Sequence, residues 1–329
     1  MDQNQSYSEN GRIIKITGGL YTVRLEPGGC PLSGQTVECR ARGGLRHQRT
    51  TPLVGDMAAV TYTDASFRRG DSGTVPCPDR TGLLITDILP RENSLIRPPL
   101  ANLDRMLVVA AAAAPAPDLY TLDKLLAILE HNRIQPVLVV SKADLDPARA
   151  RELAALYTAV GYPCFVLSCL DGTGVEEFSA YARRTLPGGI TAVAGVSGAG
   201  KSTLLNTVFP GLSLVTGDIS RRIQRGKNTT RHTELFPLPD GEGYIADTAG
   251  FSLLDFEHFD FFDLCDLADT FREFAPYLGH CRYTDCTHQK EEGCAVVEAV
   301  RTGQIAPSRH RSYRELYAIL KEKHKWESK

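Results

Sequence analysis

Between residues 11 and 97 apolar and polar positions alternate in short runs: GRIIKIT (11–17), LYTVRLE (20–26), QTVECRAR (35–42), MAAVTYT (57–63) and GLLITDIL (82–89). A period of two puts every second side chain on one face of a strand, and the Gly, Pro and Asp residues between the runs supply turns, so this segment predicts a small β-barrel or sandwich. Helical periodicity is absent there. From residue 103 unbroken apolar runs alternate with amphipathic stretches, which predicts strands over 106–112, 136–141, 163–168 and 190–195 and helices near 120–131, 147–160, 174–186 and onward from 201. That succession is a βαβ repeat with a parallel sheet. From about residue 260 the chain turns aromatic, and FDFFDLCDLADTFREFAPYL (259–278) predicts helix. A Cys/His cluster follows, then a charged stretch at 308–326 that predicts a last helix. The textures divide the chain into residues 1–97, 98–259 and 260–329.

Composition narrows this picture. The 329 residues are 42% hydrophobic and 23% charged, ordinary for a globular protein, and no apolar run approaches the roughly 20 residues that span a bilayer. The longest candidate, MLVVAAAAA (106–114), is stopped by Pro115 and Pro117 and reads as a buried strand. The N-terminal MDQNQSYSENGR is polar and lacks the basic-then-apolar order of a secretion signal, so a cytoplasmic location and no membrane partner are expected. Nine cysteines in a reducing compartment are expected as thiols or metal ligands. A net charge of −2 excludes a globally basic nucleic-acid coat and leaves local patches open.

The chemistry concentrates in three places. Gly195-Val196-Ser197-Gly198-Ala199-Gly200-Lys201-Ser202 fits G-x-x-x-x-G-K-[ST], follows the strand ITAVAG and, with Thr203, opens a helix. Its amides are expected to wrap a β-phosphate, Lys201 to reach the β- and γ-phosphates, and the Ser202 hydroxyl to ligate Mg²⁺. Downstream, GYIADTAG (243–250) ends an apolar run in Asp-x-x-Gly, which suits Asp247 holding the Mg²⁺ shell and the Gly250 amide meeting the γ-phosphate. Upstream, Ser141-Lys142-Ala143-Asp144 resembles [NT]-K-x-D, in which a carboxylate accepts two hydrogen bonds from guanine, a donor pair adenine lacks. A helix N-cap followed by surface charge would read the same way. Ser168-Cys169-Leu170 at the end of the next strand resembles the loop whose amides meet guanine O6. The order of these parts is a cyclic rotation of the usual one, and chain termini that lie close together permit such a reopening.

Cys281, Cys286, His288 and Cys294 spell C-x₄-C-x-H-x₅-C, three thiolates and an imidazole. That is a complete tetrahedral Zn²⁺ set with no open position, hence one structural Zn²⁺. Cysteines 30, 39, 77, 164, 169 and 265 are scattered and are expected as core thiols.

The permuted motif order, with a β-module before it and a Cys/His module after it, closely resembles the circularly permuted, ribosome small-subunit-dependent GTPase family known as RsgA. The resemblance covers nearly the whole chain from about residue 11. It implies a multi-domain protein: an N-terminal all-β OB-fold barrel, a central α/β P-loop GTPase domain and a C-terminal zinc-binding helical module. It also implies GTP and GDP as ligands, the small ribosomal subunit and its rRNA as partners, a monomer, and action in late maturation of that subunit. The family's switch reads G-x-H-T-T, whereas this chain has Gly226-Lys227-Asn228-Thr229-Thr230, so Asn228 stands where a catalytic His is usual. Thr229 or Thr230 is expected to complete the Mg²⁺ shell, and Lys201, Asn228, Thr229 and Thr230 form the expected catalytic set. Phe251 follows Gly250 where Ras-like enzymes place a water-orienting Gln, and His232 is a substitute candidate.

RNA contact is expected at Arg40, Arg42, Arg46, His47 and Arg49, at Arg221, Arg222, Arg225 and Lys227, and along 301–329, where eight Lys/Arg face three Glu. Two functions follow: a GTPase stimulated by the small subunit, or a nucleotide-gated RNA-binding assembly factor whose hydrolysis is negligible because of Asn228 and Phe251.

Overall fold

The computed structural model describes residues 5–43, 51–70, 73–76, 82–95, 99–210, 212, 233–239, 242–248 and 263–327. Chain contacts divide it into two compact units, Met1–Leu103 with Gly188–Ala192 and Val215–Ala249, and Asp104–Pro187 with Val193–Leu214 and Gly250–Lys329. No described helix is long and apolar enough to cross a membrane.

In the first unit the alternating runs form β1 (Ser6–Thr17), β2 (Leu20–Leu25), β3 (Thr36–Ala41), β4 (Met57–Thr63), β5 (Phe67–Gly70), β6 (Gly73–Pro76) and β7 (Leu84–Ile88). The sheet closes in the order β1-β2-β3-β7-β4 and back to β1, every pair antiparallel except β3 and β7. Closure leaves these five strands no free edge, which is how a barrel this small avoids pairing with other chains. In β4, Ala58, Val60 and Tyr62 point inward and join Ile13, Val23, Leu25, Val37 and Ile85 in the core. The barrel is the expected OB-type fold.

On the edge away from β2, β1 serves two partners because it is long. Its first half pairs with β4 as far as Arg12↔Met57, and beyond an irregularity between Ile13 and Lys15 it reaches β14 (Thr233–Pro237) at Lys15↔Glu234. A bulge bends and twists a strand, which lets one strand change neighbours. The Lys15 ammonium lies 2.8 Å from the Glu234 carboxylate. β14 pairs antiparallel with β15 (Tyr244–Thr248), and β15 pairs parallel with β13 (Ile190–Ala194) at Ile190↔Tyr244. The short pair β8 (Ser94–Leu95) and β9 (Leu100–Ala101) closes the unit. Polar contacts hold that exit segment: Arg91 is bidentate to the buried Asp56 at 2.6 and 2.7 Å, and Asn93 exchanges two hydrogen bonds with the backbone of Leu103.

The second unit carries three parallel strands, β10 (Arg105–Ala111), β11 (Gln135–Ser141) and β12 (Cys164–Val166), in register at Val108↔Leu138↔Cys164. After their first residues β10 and β11 are buried throughout, as strands covered on both faces must be. Among the described residues the helices are α1 (Leu119–His131), α2 (Pro147–Ala159), α3 (Val175–Thr185), α4 (Lys201–Val208), α5 (Ala295–Arg301) and α6 (Pro307–Glu327). Asp118 caps α1 by accepting from the Thr121 amide, and Asp146 caps α2 by accepting from the Arg149 amide, with Pro147 at the first helical position.

The expected helix over 259–278 is not formed in its described part. Residues 264–266, 268–270 and 272–274 make three separate 3₁₀ turns. Leu267, Phe271 and Phe274 are buried at helical spacing, but the Thr270 hydroxyl donates to the Leu267 carbonyl at 2.8 Å and Phe271 is extended. A local side-chain bond of this kind competes with the helical ladder. The turns pack with α5 and α6 around Leu267, Phe271, Phe274, Val296, Ile305 and Tyr313, and Ala127 of α1 belongs to the same core.

Arg309 joins these pieces. It is 1% exposed, donates to Asp123 of α1 at 2.6 Å, forks onto Glu273 at 2.6 and 3.1 Å, and lies 4.7 Å from the centre of the Phe271 ring. Tyr157 of α2 donates to the same Asp123 oxygen at 2.9 Å. Burial opposes the charge on Arg309, but the two carboxylates outweigh it and raise its pKa. The basic surface expected over 301–329 is correspondingly smaller: Arg309 is interior, and Arg301 pairs with Glu298 at 2.6 Å. Arg311, Arg314 and Lys321 remain exposed.

The scattered cysteines are also corrected in part. Cys39 is a core thiol, Cys30, Cys164 and Cys169 are half-buried, and Cys265 is exposed beside Asp266. Cys77 lies outside the described residues.

Candidate functional site

The loop after β13 has the backbone that its glycines imply. A Cβ on Gly195 would meet the Val109 carbonyl oxygen at 2.4 Å, so any larger residue would push the loop off β10. Gly198 and Gly200 have φ of 82° and 93°, the left-handed region in which consecutive amides can turn toward one anion. The Ala199 amide donates to the Val196 carbonyl at 3.1 Å, and the Leu204 amide donates to Gly200 at 2.9 Å, starting α4. Ser197 and Gly198 are exposed, Val196 is half-buried, and Ser202 and Thr203 lie in the first turn of α4. The Lys201 ammonium folds back over the loop and donates to the Gly195 and Val196 carbonyls at 2.7 and 2.9 Å. Burial lowers its pKa, since removal from water disfavours the charge. The chain's own carbonyls thus hold a cation where a phosphate would meet it.

The guanine-type motif lies at the end of β11, beside this loop. Ser141 is 4% exposed, and its hydroxyl donates to the Ala199 carbonyl at 2.6 Å. Lys142 has φ 57° and its ammonium donates to the Ala114 carbonyl at 2.8 Å, so its stem is anchored at the far end. The Ala143 amide donates to Leu167 at 3.3 Å, which sets the motif against the next loop, and Asp144 is half-buried. Asp146, outside the tetrapeptide, caps α2, so Asp144 is not the cap.

In the next loop the buried Ser168 hydroxyl accepts from the Leu170 and Asp171 amides at 3.2 and 3.4 Å, and the Ser168 amide donates to Thr173 at 2.9 Å. The Cys169 amide makes no hydrogen bond among the described residues, and it is the one of this group left to meet an acceptor. Burial pushes the Cys169 thiol up, a hydrogen bond with Thr207 opposes it, and the Asp144 carboxylate adds to the rise.

Asp247 sits in β15 opposite Glu234. Gly226 to Thr230, His232, Gly250 and Phe251 lie outside the described residues, as do Arg46, His47, Arg49, Arg221, Arg222, Arg225 and Lys227. Arg40 and Arg42 are exposed at the end of β3.

The Cys/His set converges. The ligand atoms of Cys281, Cys286, His288 and Cys294 lie within 4.8 Å of one another, with Cys281 Sγ to His288 Nδ1 at 3.5 Å, Cys294 Sγ to His288 Nδ1 at 3.6 Å and Cys281 Sγ to Cys294 Sγ at 3.8 Å. A tetrahedral centre with bonds of ~2.3 Å to sulfur and ~2.0 Å to nitrogen has edges of about 3.5–3.8 Å. The residues fit such a metal. His288 takes φ 57° to present Nδ1, and its carbonyl accepts from His310 at 2.7 Å.

Sequence patterns gave no sign of Glu291, which organises this loop. Its carboxylate accepts from the amides of Thr287, Gln289 and Lys290 at 2.9 to 3.0 Å and from the Thr287 hydroxyl. Burial pushes its pKa up, but these bonds outweigh it and hold the carboxyl at about 2. Asp123, Glu273 and Arg309 were equally invisible, because a charge that will be buried looks in sequence like one that stays in water.

A strand, an anion-cradling loop and a helix, preceded in the chain by a guanine-type motif hydrogen-bonded to that loop, define a circularly permuted P-loop GTPase. The model described as RsgA GTPase matches residues 88–257, and that described as RsgA N-terminal domain matches 10–66. The chain belongs to the RsgA GTPase family and is a GTP hydrolase. It is 38% identical to the small ribosomal subunit biogenesis GTPase RsgA of Alkaliphilus metalliredigens over 96% of this chain and 99% of that one. The protein of the same name from Geobacillus thermodenitrificans is 38% identical over 95% and 98%. Among solved structures, YjeQ from Thermotoga maritima superposes with a TM-score of 0.73 at 31% identity, covering 95% of this chain and 99% of that one. YloQ, described as a circularly permuted GTPase, gives 0.70 at 28%, covering 96% of each.

Proposed function

We propose that this GTPase acts in late maturation of the small ribosomal subunit, in the cytoplasm and as a monomer, binding the subunit's rRNA and hydrolysing GTP to GDP at a rate the subunit stimulates. The observation that carries the reading is the Ser141–Ala199 bond, which supports taking the guanine-type motif and the phosphate loop together despite their inverted order. In this reading Gly195 to Thr203 hold the phosphates, Ser202 and Asp247 hold Mg²⁺, Asp144 reads guanine N1 and N2, and the Cys169 amide, set by Ser168, meets O6. Gly250 meets the γ-phosphate, and Asn228, Thr229 and Thr230 complete the site with Lys201 when the switch closes. The modules are an OB-fold RNA-binding domain (1–97), a permuted GTPase domain (98–259) and a zinc-binding domain (260–329), with Zn²⁺ on Cys281, Cys286, His288 and Cys294. The Ras Gln position is Phe251 and the family's His is Asn228, so the free protein lacks an assembled water-positioning group.

Hydrolysis of GTP and ATP should be measured with and without purified small subunits. GTP turnover is expected to be slow alone and to rise by at least ~100-fold with subunits, within the range an activator supplies to such enzymes. Lys201→Ala should abolish the stimulated rate. Equal rates with and without subunits, or equal use of ATP, would refute the reading.

A further inference from the structure

The buried hydroxyl of Ser141 has a role separate from that of the motif it begins. A serine hydroxyl carries one hydrogen, and here it is committed to the Ala199 carbonyl at 2.6 Å in a position only 4% exposed. Its remaining capacity is as an acceptor. Guanine presents N7 and O6 on its Hoogsteen edge, both acceptors, so a hydroxyl with its hydrogen engaged has nothing to offer them. Ala199 lies between Gly198 and Gly200, both left-handed, and immediately before Lys201. A Cβ on Gly200 would be 3.9 Å from the Ser141 oxygen, so the hydroxyl supports the turn from which the phosphate-binding lysine departs. The Ser141 carbonyl is also fixed, accepting from the Ala112 amide at 2.8 Å.

We propose that Ser141 is a positioning residue for the phosphate loop and takes no part in recognising the base, so that guanine selectivity in this chain rests on Asp144 with the Cys169 amide. The proposal depends on residues 141–144 and 195–203 forming the nucleotide site. It divides the tetrapeptide by function: its first residue acts on phosphate affinity through Ala199, and its last acts on base choice. An amide at position 141 would have two hydrogens and could serve both ends. The hydroxyl serves one.

The test uses the full-length protein and equilibrium affinities for GDP, 7-deaza-GDP and XDP, which share phosphates and ribose: the second lacks the N7 acceptor a hydroxyl would meet, and the third differs at the purine edge that Asp144 faces. Ser141→Ala leaves the Ala199 carbonyl without its donor and is expected to weaken all three by a common factor of about ten, leaving the GDP:7-deaza-GDP and GDP:XDP ratios within about twofold of the parent. Ser141→Thr, which keeps the hydroxyl, should recover most of the lost affinity. Asp144→Asn should invert the GDP:XDP ratio with Ser141 intact. If Asp144→Asn leaves that ratio unchanged, the site assignment itself is wrong. If Asp144→Asn inverts it but Ser141→Ala also shifts the GDP:7-deaza-GDP ratio, or leaves GDP affinity untouched, Ser141 either contacts the base or does not support the loop, and the proposal is overturned.

Discussion

Glu291 shows how much one carboxylate can organise. Its oxygens gather three amides and a hydroxyl around the segment carrying His288, and holding a ligand's backbone in place typically matters 10–100-fold in metal affinity. Glu291→Ala is therefore expected to weaken zinc retention by about that factor with all four ligands intact, read by competition with a chromogenic chelator. Retention equal to the parent's would show that the loop is preformed without it. Arg309 is the opposite case, a charge with no exposure. Arg309→Met leaves Asp123 and Glu273 buried without their cation and is expected to cost about 3–5 kcal/mol in denaturant unfolding, far more than any exposed pair. Arg183 and Glu176 supply the comparison: both are well exposed at 2.8 Å, and removing Arg183 should cost less than about 1 kcal/mol.

At the level of elements, capping is the most local device and the easiest to test. Asp146→Ala is expected to destabilise the protein by about 1 kcal/mol through α2, while base selectivity stays with Asp144, two residues earlier. A thermal melt and a GDP:XDP affinity ratio together check it. The elements most legible in the sequence were those whose burial is one-sided or complete. β4 alternates from end to end, β10 and β11 are apolar runs, and the loop at 195–202 has a spacing no other chemistry requires. The stretch from 264 to 274 was misleading because Leu267, Phe271 and Phe274 keep helical spacing while Thr270 diverts a carbonyl. The pairing of β1 with β14 was invisible for a different reason. It joins residues 15 and 234, and no local pattern encodes a partner that far away. The same holds for Ser141, whose type suggested contact with the base and whose hydrogen is given to the loop.

For the whole molecule, the metal set and the GTPase core are distinguishable. Removing metal with a strong chelator should release the Cys/His segment first, because its four ligand groups converge on one point and three of them are thiols that would repel as thiolates without the ion. GDP affinity is expected to persist, since the phosphate loop and the guanine motif share no ligand with that set. Circular dichroism and GDP titration before and after chelation check both halves, and parallel loss of structure and nucleotide binding would show that the two fold as one. The core shared by Ala127 with Phe271 and Tyr313 sets the limit of this independence: contacts of α1 with the last helices survive metal loss only if apolar burial there suffices.

Asp123 and Arg309 stand 186 residues apart. Synthesis proceeds from the N-terminus, so α1 and the parallel strands emerge long before the cation that Asp123 requires, and during that interval a carboxylate destined for the interior has only Tyr157 for company. The unit can close fully only when α6 has left the tunnel. A chain cut short anywhere before residue 309 keeps an uncompensated acid in its middle and is expected to open more often. Burial of the acid at residue 123 is thereby timed by the synthesis of residue 309.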